Sequence, residues 1–372
     1  MAEQQREAGA AVRVGVLGLG RSGYGIHLRA LGKLPEKYRV VAVADTNAAR
    51  CAETAASVGC DACADIGALL AHPEVELVTV ATQNRWHAEH AVAALDAGKH
   101  VLCEKPFGLT VAEVDAMLAA RDRQAAKGSP VVLAPFQNRR YEESFAKVRE
   151  VIRSGKLGTI VQIRMAYHGF GRRWDWQTMR RFGGGQLNNN LPHPLDQAME
   201  LLSDCGVHEP EQIEVRAHLR NALSSGDAED HVRLTLTAPG VPDAPLVDIE
   251  FTAASPYAQD QWHVMGTAGG LRGTGKELHW KWVQWGGMPA RPPQEASTPD
   301  RSYNSEKPEW QEVSHTCTDS FEGWAQSYYE GLYPALREGA ALFVTPEQIR
   351  KRIAVLEKAR AAAGIPVSGC EV

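Results

Sequence analysis

Residues Val12 to Gly25 read VRVGVLGLGRSGYG, an apolar, strand-like run that meets a glycine-rich turn and then a helix. Val12, Val14, Val16 and Leu17 suit a buried strand, and Gly18, Gly20 and Gly23 stand in the GxGxxG spacing that opens a helix onto a pyrophosphate. Each glycine has a task. Gly18 would make the tight turn, Gly20 would let the backbone approach a phosphate, and Gly23 would let helix and strand pack closely. The N–H groups and positive dipole end of the helix would face the anion. Such turns are common, so the residues that follow decide. The second apolar strand, Val40 to Ala44, ends in Asp45, 22 residues beyond Gly23, where a carboxylate would accept the hydroxyls of an adenosine ribose. The same carboxylate could cap the helix that begins near Asn47. Its charge would repel a 2'-phosphate, which favours NAD over NADP, although Arg21 and Arg50 are cations that such a phosphate could meet.

A chain of 372 residues suggests two domains, and 44% hydrophobic with 23% charged residues is ordinary for a soluble globular protein. Forty Lys and Arg against 45 Asp and Glu give a net charge of −5. No nucleic-acid footprint and no basic membrane surface is indicated, which leaves a small molecule as the expected partner. The start, MAEQQREAGAA, lacks the pattern of an export signal, and no apolar run approaches membrane-spanning length. Seven scattered cysteines do not resemble a disulfide framework, so a reduced, cytoplasmic setting is expected. Cys60 and Cys63 form a CxxC without a second pair at ligand spacing, and no metal is expected.

Strand and helix alternate onward to Pro135. The strand VELVTVA, Val75 to Ala81, ends in Thr82, Gln83 and Asn84, and open parallel sheets place ligands at such carboxyl ends. His87 and His90 share a face of the next helix and read as packing or capping groups. A short strand, His100 to Cys103, then runs into Glu104, Lys105 and Pro106; the proline stops the strand and would hold Lys105 at the sheet's carboxyl edge. Thr110 and Glu113 stand in capping-box spacing for the following helix.

Beyond Pro135 the pattern changes. A basic helix, Ser144 to Ser154, precedes strand-like alternation over Thr159 to Tyr167 and an Arg- and Trp-rich loop, HGFGRRWDWQTMRRFGGG. Trp174 and Trp176 beside Arg172 and Arg173 suit stacking on a sugar ring or aglycone, with core packing the alternative. A helix beginning near His193 follows, with Pro194 at its first position and Asp196 in its first turn. Further strands are expected at Gln212 to Leu219, Asp230 to Leu236, Val247 to Phe251 and Trp262 to Gly266, then a returning pair. A long Pro-rich loop spans Gly286 to Glu309, and helices close the chain at Ser320 to Glu338 and Pro346 to Ala363.

The glycine loop, Asp45, VTVATQN, AGKHVLCEKP and GGGQLNNNLPHPLD occur in an order that resembles the Gfo/Idh/MocA family, the relatives of glucose-fructose oxidoreductase and inositol dehydrogenase. Glu104, Lys105 and Pro106 are the most specific part of the likeness, and Asn138 to Tyr141 (NRRY) fits it at the domain junction. The resemblance implies an α/β chain: an N-terminal Rossmann domain over 12–136 after a disordered tail, 1–11, and an α+β domain over 137–372 with a large open, mostly antiparallel sheet. That sheet would carry the substrate site on one side and a dimer or tetramer interface on the other. It implies NAD or NADP contacts from Gly18, Gly20, Arg21, Ser22, Gly23, Asp45, Thr82, Asn84, His87, Glu104 and Lys105. The substrate implied is a sugar, polyol or glycoside.

At a helix N-terminus His193 should be largely neutral and able to take a hydroxyl proton while the carbon gives up hydride. Lys105 would hydrogen-bond the reacting oxygen. The family's usual Asp four residues before the catalytic His, and its Gly two residues before it, are Asn189 and Leu191 here. Asn189 cannot ionise. It is expected to contact a substrate hydroxyl, and Asp196 becomes the nearest carboxylate. Three functions fit: a dehydrogenase, an NAD-retaining glycoside hydrolase or lyase that oxidises its sugar transiently, and a non-catalytic NAD-binding regulator. The presence of both Lys105 and His193 speaks against the third.

Overall fold

Strand β1 (Val12–Leu17) lies at the centre of a parallel six-stranded sheet because its side chains are buried on both faces, as a central strand with helices above and below requires. Its partners are β2 (Tyr38–Ala44), β3 (Asp61–Cys63), β4 (Leu77–Val80), β5 (His100–Cys103) and β6 (Leu133–Pro135), in the order β3-β2-β1-β4-β5-β6. The order reverses between β1 and β4, so the carboxyl ends of these two strands form the crevice in which such sheets bind ligands. The computed structural model describes residues 9–296 and 298–365.

A second sheet holds β7 (Ile160–His168), β8 (Glu214–Arg220), β9 (His231–Thr237), β10 (Leu246–Thr252), β11 (Trp262–Gly266), β12 (Gly269–Gly273), β13 (Glu277–Trp282) and β14 (Gln311–Thr316). Their order is β14-β13-β12-β11-β7-β10-β9-β8, antiparallel except between β7 and β10. Alternation decides its faces. Val232, Leu234, Val247, Ile249, Ile163, Met165, Trp262 and Val264 are buried on one side, under the helices Glu143–Arg153, Pro192–Asp204 and Pro346–Ala362. The other side carries Arg164, Arg233, Asp248, Glu250, His263 and Arg272 and is not covered by these helices.

The chain crosses between its halves again near its end. Tyr329, on the helix Phe321–Arg337, meets Tyr38 and His27 of the first domain, and Arg350 pairs through two bonds with Asp115 (2.6 and 2.9 Å). The expected tail, 1–11, falls mostly outside the described residues. Of the remainder, Ala10 and Ala11 are held, since their carbonyls accept from Arg337 at 2.9 and 3.1 Å. Strand β14 is an addition to the sequence reading, and the helix expected to start with Pro194 begins with Pro192 instead. No helix among the described residues is long and apolar enough to cross a membrane.

Candidate active site

The glycine loop is built as its spacing demands. Gly18 adopts φ +90° and a Cβ there would lie 2.6 Å from the Ala81 carbonyl oxygen, while a Cβ on Gly23 would sit 1.8 Å from that of Gly18. Only glycine fits either place. Around Gly20 the space is open to 4 Å, the clearance a pyrophosphate needs. Asp45 turns inward: its Oδ2 accepts the Leu19 N–H at 2.7 Å and its Oδ1 that of Asn47 at 2.8 Å, so it shapes the loop it was expected to serve. The cap of the next helix is Asn47, which accepts from the Arg50 N–H. Arg21 is exposed and Ser22 half-buried at the mouth of the loop.

Four of the residues expected to touch the cofactor are engaged within the protein. Thr82 Oγ1 lies 3.1 Å from His90 Nδ1. His87 is buried, with Nδ1 2.7 Å from the Pro106 carbonyl and Nε2 3.0 Å from that of Thr82, a clamp between the two strand ends. Asn84 donates to the carbonyl of Gly183 and to Asn189 Oδ1, both at 2.8 Å, and so ties the Rossmann sheet to the Arg- and Trp-rich loop. Glu104 points into the core, where its Oε2 accepts the Lys105 N–H at 2.9 Å and its Oε1 lies 3.3 Å from His27 Nε2. Burial pushes its carboxyl up, but His27, Lys105 and His87 outweigh this and hold it at about 2. The folded value lies below the ordinary 4.5, so the stability Glu104 contributes is complete above pH 4.5 and is lost as pH falls through about 2. Glu104→Gln should therefore flatten the acid limb of the unfolding curve followed by circular dichroism over that window; an unaltered limb would contradict the assignment.

Lys105 follows on the same turn, half-buried, with Nζ 2.5 Å from the Asn189 carbonyl oxygen. Burial, then Arg21, Arg139 and Arg173, lower its pKa against the opposing pull of Glu104. His193, 8% exposed, is the second residue of its helix. Burial, then the charges of Arg139 and Lys105, push it well below 6.5, and its Nδ1 has no hydrogen-bond partner among the described residues. This shift runs in the direction expected from the helix dipole, with burial as its main cause.

Two expected substrate contacts take other places. Asn189 is buried, its Oδ1 held by Asn84 and its Nδ2 donating to the Gln177 carbonyl at 3.1 Å, so its side chain is a strut under the loop. Asp196 is fully buried between Arg140 (2.7 Å to each oxygen) and Arg352 (2.9 Å), which satisfies the carboxylate inside the protein. Trp174 is 75% exposed, Arg172 is exposed, and Trp176 is half-buried, all on the loop between β7 and the helix Pro192–Asp204. Arg139, Tyr167 and Gln197 escaped the sequence reading. Gln197, one turn beyond His193, donates to the Arg139 carbonyl at 3.1 Å and accepts from Tyr167 Oη at 3.0 Å. The motif NRRY held the only signal, and it does not say which arginine faces the site.

Away from the crevice, ligand-type atoms of Glu143, His315 and Cys317 lie within 4.8 Å of one another. Glu143 is already occupied there by His315 Nε2 at 2.8 Å and the Thr318 N–H at 2.7 Å.

Residues 12–129 match the model of an oxidoreductase family with an NAD-binding Rossmann fold, and residues 145–272 match the GFO/IDH/MocA C-terminal domain. The chain is similar to inositol 2-dehydrogenase 2 of Saccharopolyspora erythraea, 30% identical over 253 residues, which are 67% of this chain and 69% of that protein. It is similar to the uncharacterized oxidoreductase C115.03 of Schizosaccharomyces pombe at 29% identity, and there the match spans 61% of each. In three dimensions it is similar to levoglucosan dehydrogenase in complex with NADH and levoglucosan, with a TM-score of 0.74, 20% identity, and 95% and 97% of the two chains covered. At that identity the likeness speaks to the fold alone.

Proposed function

Because the chain belongs to the Gfo/Idh/MocA oxidoreductase family and carries its NAD-binding Rossmann domain, we propose that it oxidises a secondary hydroxyl of a sugar, polyol or glycoside. Lys105 would polarise the reacting oxygen and His193 take its proton. Bound NAD supplies the hydride acceptor. What supports the reading is a nearly buried imidazole, pushed toward its neutral form by burial and by the charges of Arg139 and Lys105, whose Nδ1 has no hydrogen-bond partner among the described residues, together with the half-buried Lys105 at the carboxyl edge of the Rossmann sheet. A neutral imidazole can accept a proton at pH 7. Lys105 gives one N–H to the Asn189 carbonyl and keeps two for an oxygen in the site. Its charge favours alkoxide over alcohol, so proton loss toward His193 and stabilisation by Lys105 act on the same atom. Asn84 and the Gln177 carbonyl support this by fixing Asn189, whose own carbonyl holds Lys105.

The test is formation of NADH with a panel of sugars, polyols and glycosides; product without net NADH would favour the cofactor-retaining hydrolase or lyase. Asp45 supports a preference for NAD, since a 2'-phosphate would meet its charge at the end of β2. Asp45→Asn should lower the NAD-to-NADP ratio of kcat/KM by about tenfold or more, a 1.4 kcal/mol change. An unchanged ratio would leave Asp45 with the shaping of the loop alone. The proposal extends to a homo-oligomer, dimer or tetramer, formed through the uncovered face of the second sheet, where Arg164, Asp248, Glu250, His263 and Arg272 border a cavity of about 260 Å³; sedimentation velocity tests it. A cytoplasmic setting belongs to the same reading.

A further inference from the structure

Arginines gather on the turn after β4 and on the loop between β7 and the helix Pro192–Asp204, in a chain whose net charge is −5. Arg85 lies between the rings of Trp86 and Phe182 (4.6 and 4.5 Å), Arg181 stacks on the same Phe182 at 4.9 Å, and Arg172 reaches only the Ser225 hydroxyl at 3.3 Å. None of these three guanidinium groups forms an ion pair among the described residues. Arg173 differs, being held by Asp175 through two bonds of 2.8 and 2.9 Å. Arg172 and Arg181 are exposed and Arg85 is half-buried, and arginines without carboxylates are ordinary near a surface. A guanidinium beside the proposed base is not.

Arg139 is that guanidinium. Its carbon lies 5.3 Å from the ring centre of Trp324 and 5.8 Å from that of Tyr167, so the group lies against two aromatic faces. It forms an ion pair with the buried Glu142 at 3.7 Å, too long for a hydrogen bond, and that carboxylate is already bonded to Ser144 (2.7 Å), Gln261 (3.1 Å) and Gln197 (3.2 Å). Arg139 Nε is buried with no hydrogen-bond partner among the described residues. A planar fork held between rings, short of acceptors, is a seat for a planar anion with two oxygens. The reaction adds a reason. Oxidation of the alcohol breaks a C–H and an O–H bond and forms a C=O bond; the hydride leaves with the cofactor and the proton rests on His193. That proton adds a positive charge beside Lys105 and Arg139, whose charges already resist it. A negative charge on the substrate would offset this cost.

We propose that the substrate is a sugar acid, an aldonate or uronate, whose carboxylate is bound by Arg139 next to His193, and that the arginines of the rim draw it in. The inference rests on the dehydrogenase reading above for its chemistry but not for its binding. Matched pairs test it: glucuronate with glucose, galacturonate with galactose, and gluconate with glucitol. Calorimetry on the NADH-loaded protein reads binding, and NADH formation from NAD reads turnover. Each acid should bind about 10- to 100-fold more tightly than its neutral partner, as expected for a charge-assisted bidentate contact. The preference should shrink with added salt. Arg139→Gln should remove most of it and Arg139→Lys retain part, with melting temperature and NADH affinity of both variants measured alongside. Equal binding of acids and neutral sugars overturns the proposal, as does tighter binding of glucose 6-phosphate than of glucuronate, or a preference that survives in a folded Arg139→Gln variant. NADH formed from neutral sugars without acid preference would overturn it while the dehydrogenase reading stands. Acid-selective binding with no NADH formed from any member would support it and overturn that reading.

Discussion

Replacing His193 with alanine is expected to lower kcat by about 10²- to 10⁴-fold, the usual worth of a positioned general base, while NADH affinity and melting temperature stay close to wild type. The imidazole is 8% exposed at the start of its helix, and its Nδ1 bonds to nothing described, so truncation removes a base without orphaning a partner. The pH dependence carries the same assignment. Burial, then Arg139 and Lys105, hold His193 in its neutral form, so the acid limb of kcat/KM should fall well below pH 6.5. Lys105, lowered from 10.5 chiefly by burial, should set an alkaline limb below that value. Wild-type turnover in the variant, or an acid limb at or above pH 6.5, would remove His193 from the chemistry.

The second large effect concerns stability. Asp196→Ala should destabilise the fold by about 3–5 kcal/mol in urea or guanidinium titrations, the range for removing one partner of a buried ion pair. The carboxylate is fully buried and gives both oxygens to Arg140 and one also to Arg352. Without it, the one carboxylate left to the two buried guanidinium groups among the described residues is Glu200, at 3.1 and 2.6 Å, beside their bonds to Gln348. Because Asp196 ties the helix that carries His193 to the helix Pro346–Ala362, loosening is expected there first. A raised KM at unchanged stability would instead return Asp196 to the substrate contact that its place in the sequence suggested.

Those two residues mark the limit of what the chain tells by itself. The Rossmann strands were legible because β1, β2 and β4 are buried on both faces and read as apolar runs. The second sheet was legible where one face is buried and the alternation shows, as in HVRLTLT of β9. It failed at β14, where QEVSHT is exposed almost throughout and carries no such pattern. Site residues whose roles depend on distant partners were harder. Asp196 is neutralised by arginines 56 residues before and 156 after it, and Asn189 is held by Asn84, 105 residues away. Arg139 and Arg140 are neighbours with opposite fates. One lies between aromatic rings near His193 and the other is locked on Asp196, a divergence set by packing rather than by local sequence.

The contact between Tyr329 and His27 has a consequence for how the molecule comes into being. The two groups meet at 2.8 Å across 302 residues, and Tyr38 donates to the Tyr329 carbonyl at 2.6 Å. A nascent chain emerging from the ribosome has its whole dinucleotide-binding sheet available long before that tyrosine exists. Until the final helices arrive, His27, Tyr38 and Phe136 lack the ring that covers them, and an open apolar seam of this kind invites aggregation. Burial of this face of the first domain thus waits on synthesis of the helix Phe321–Arg337.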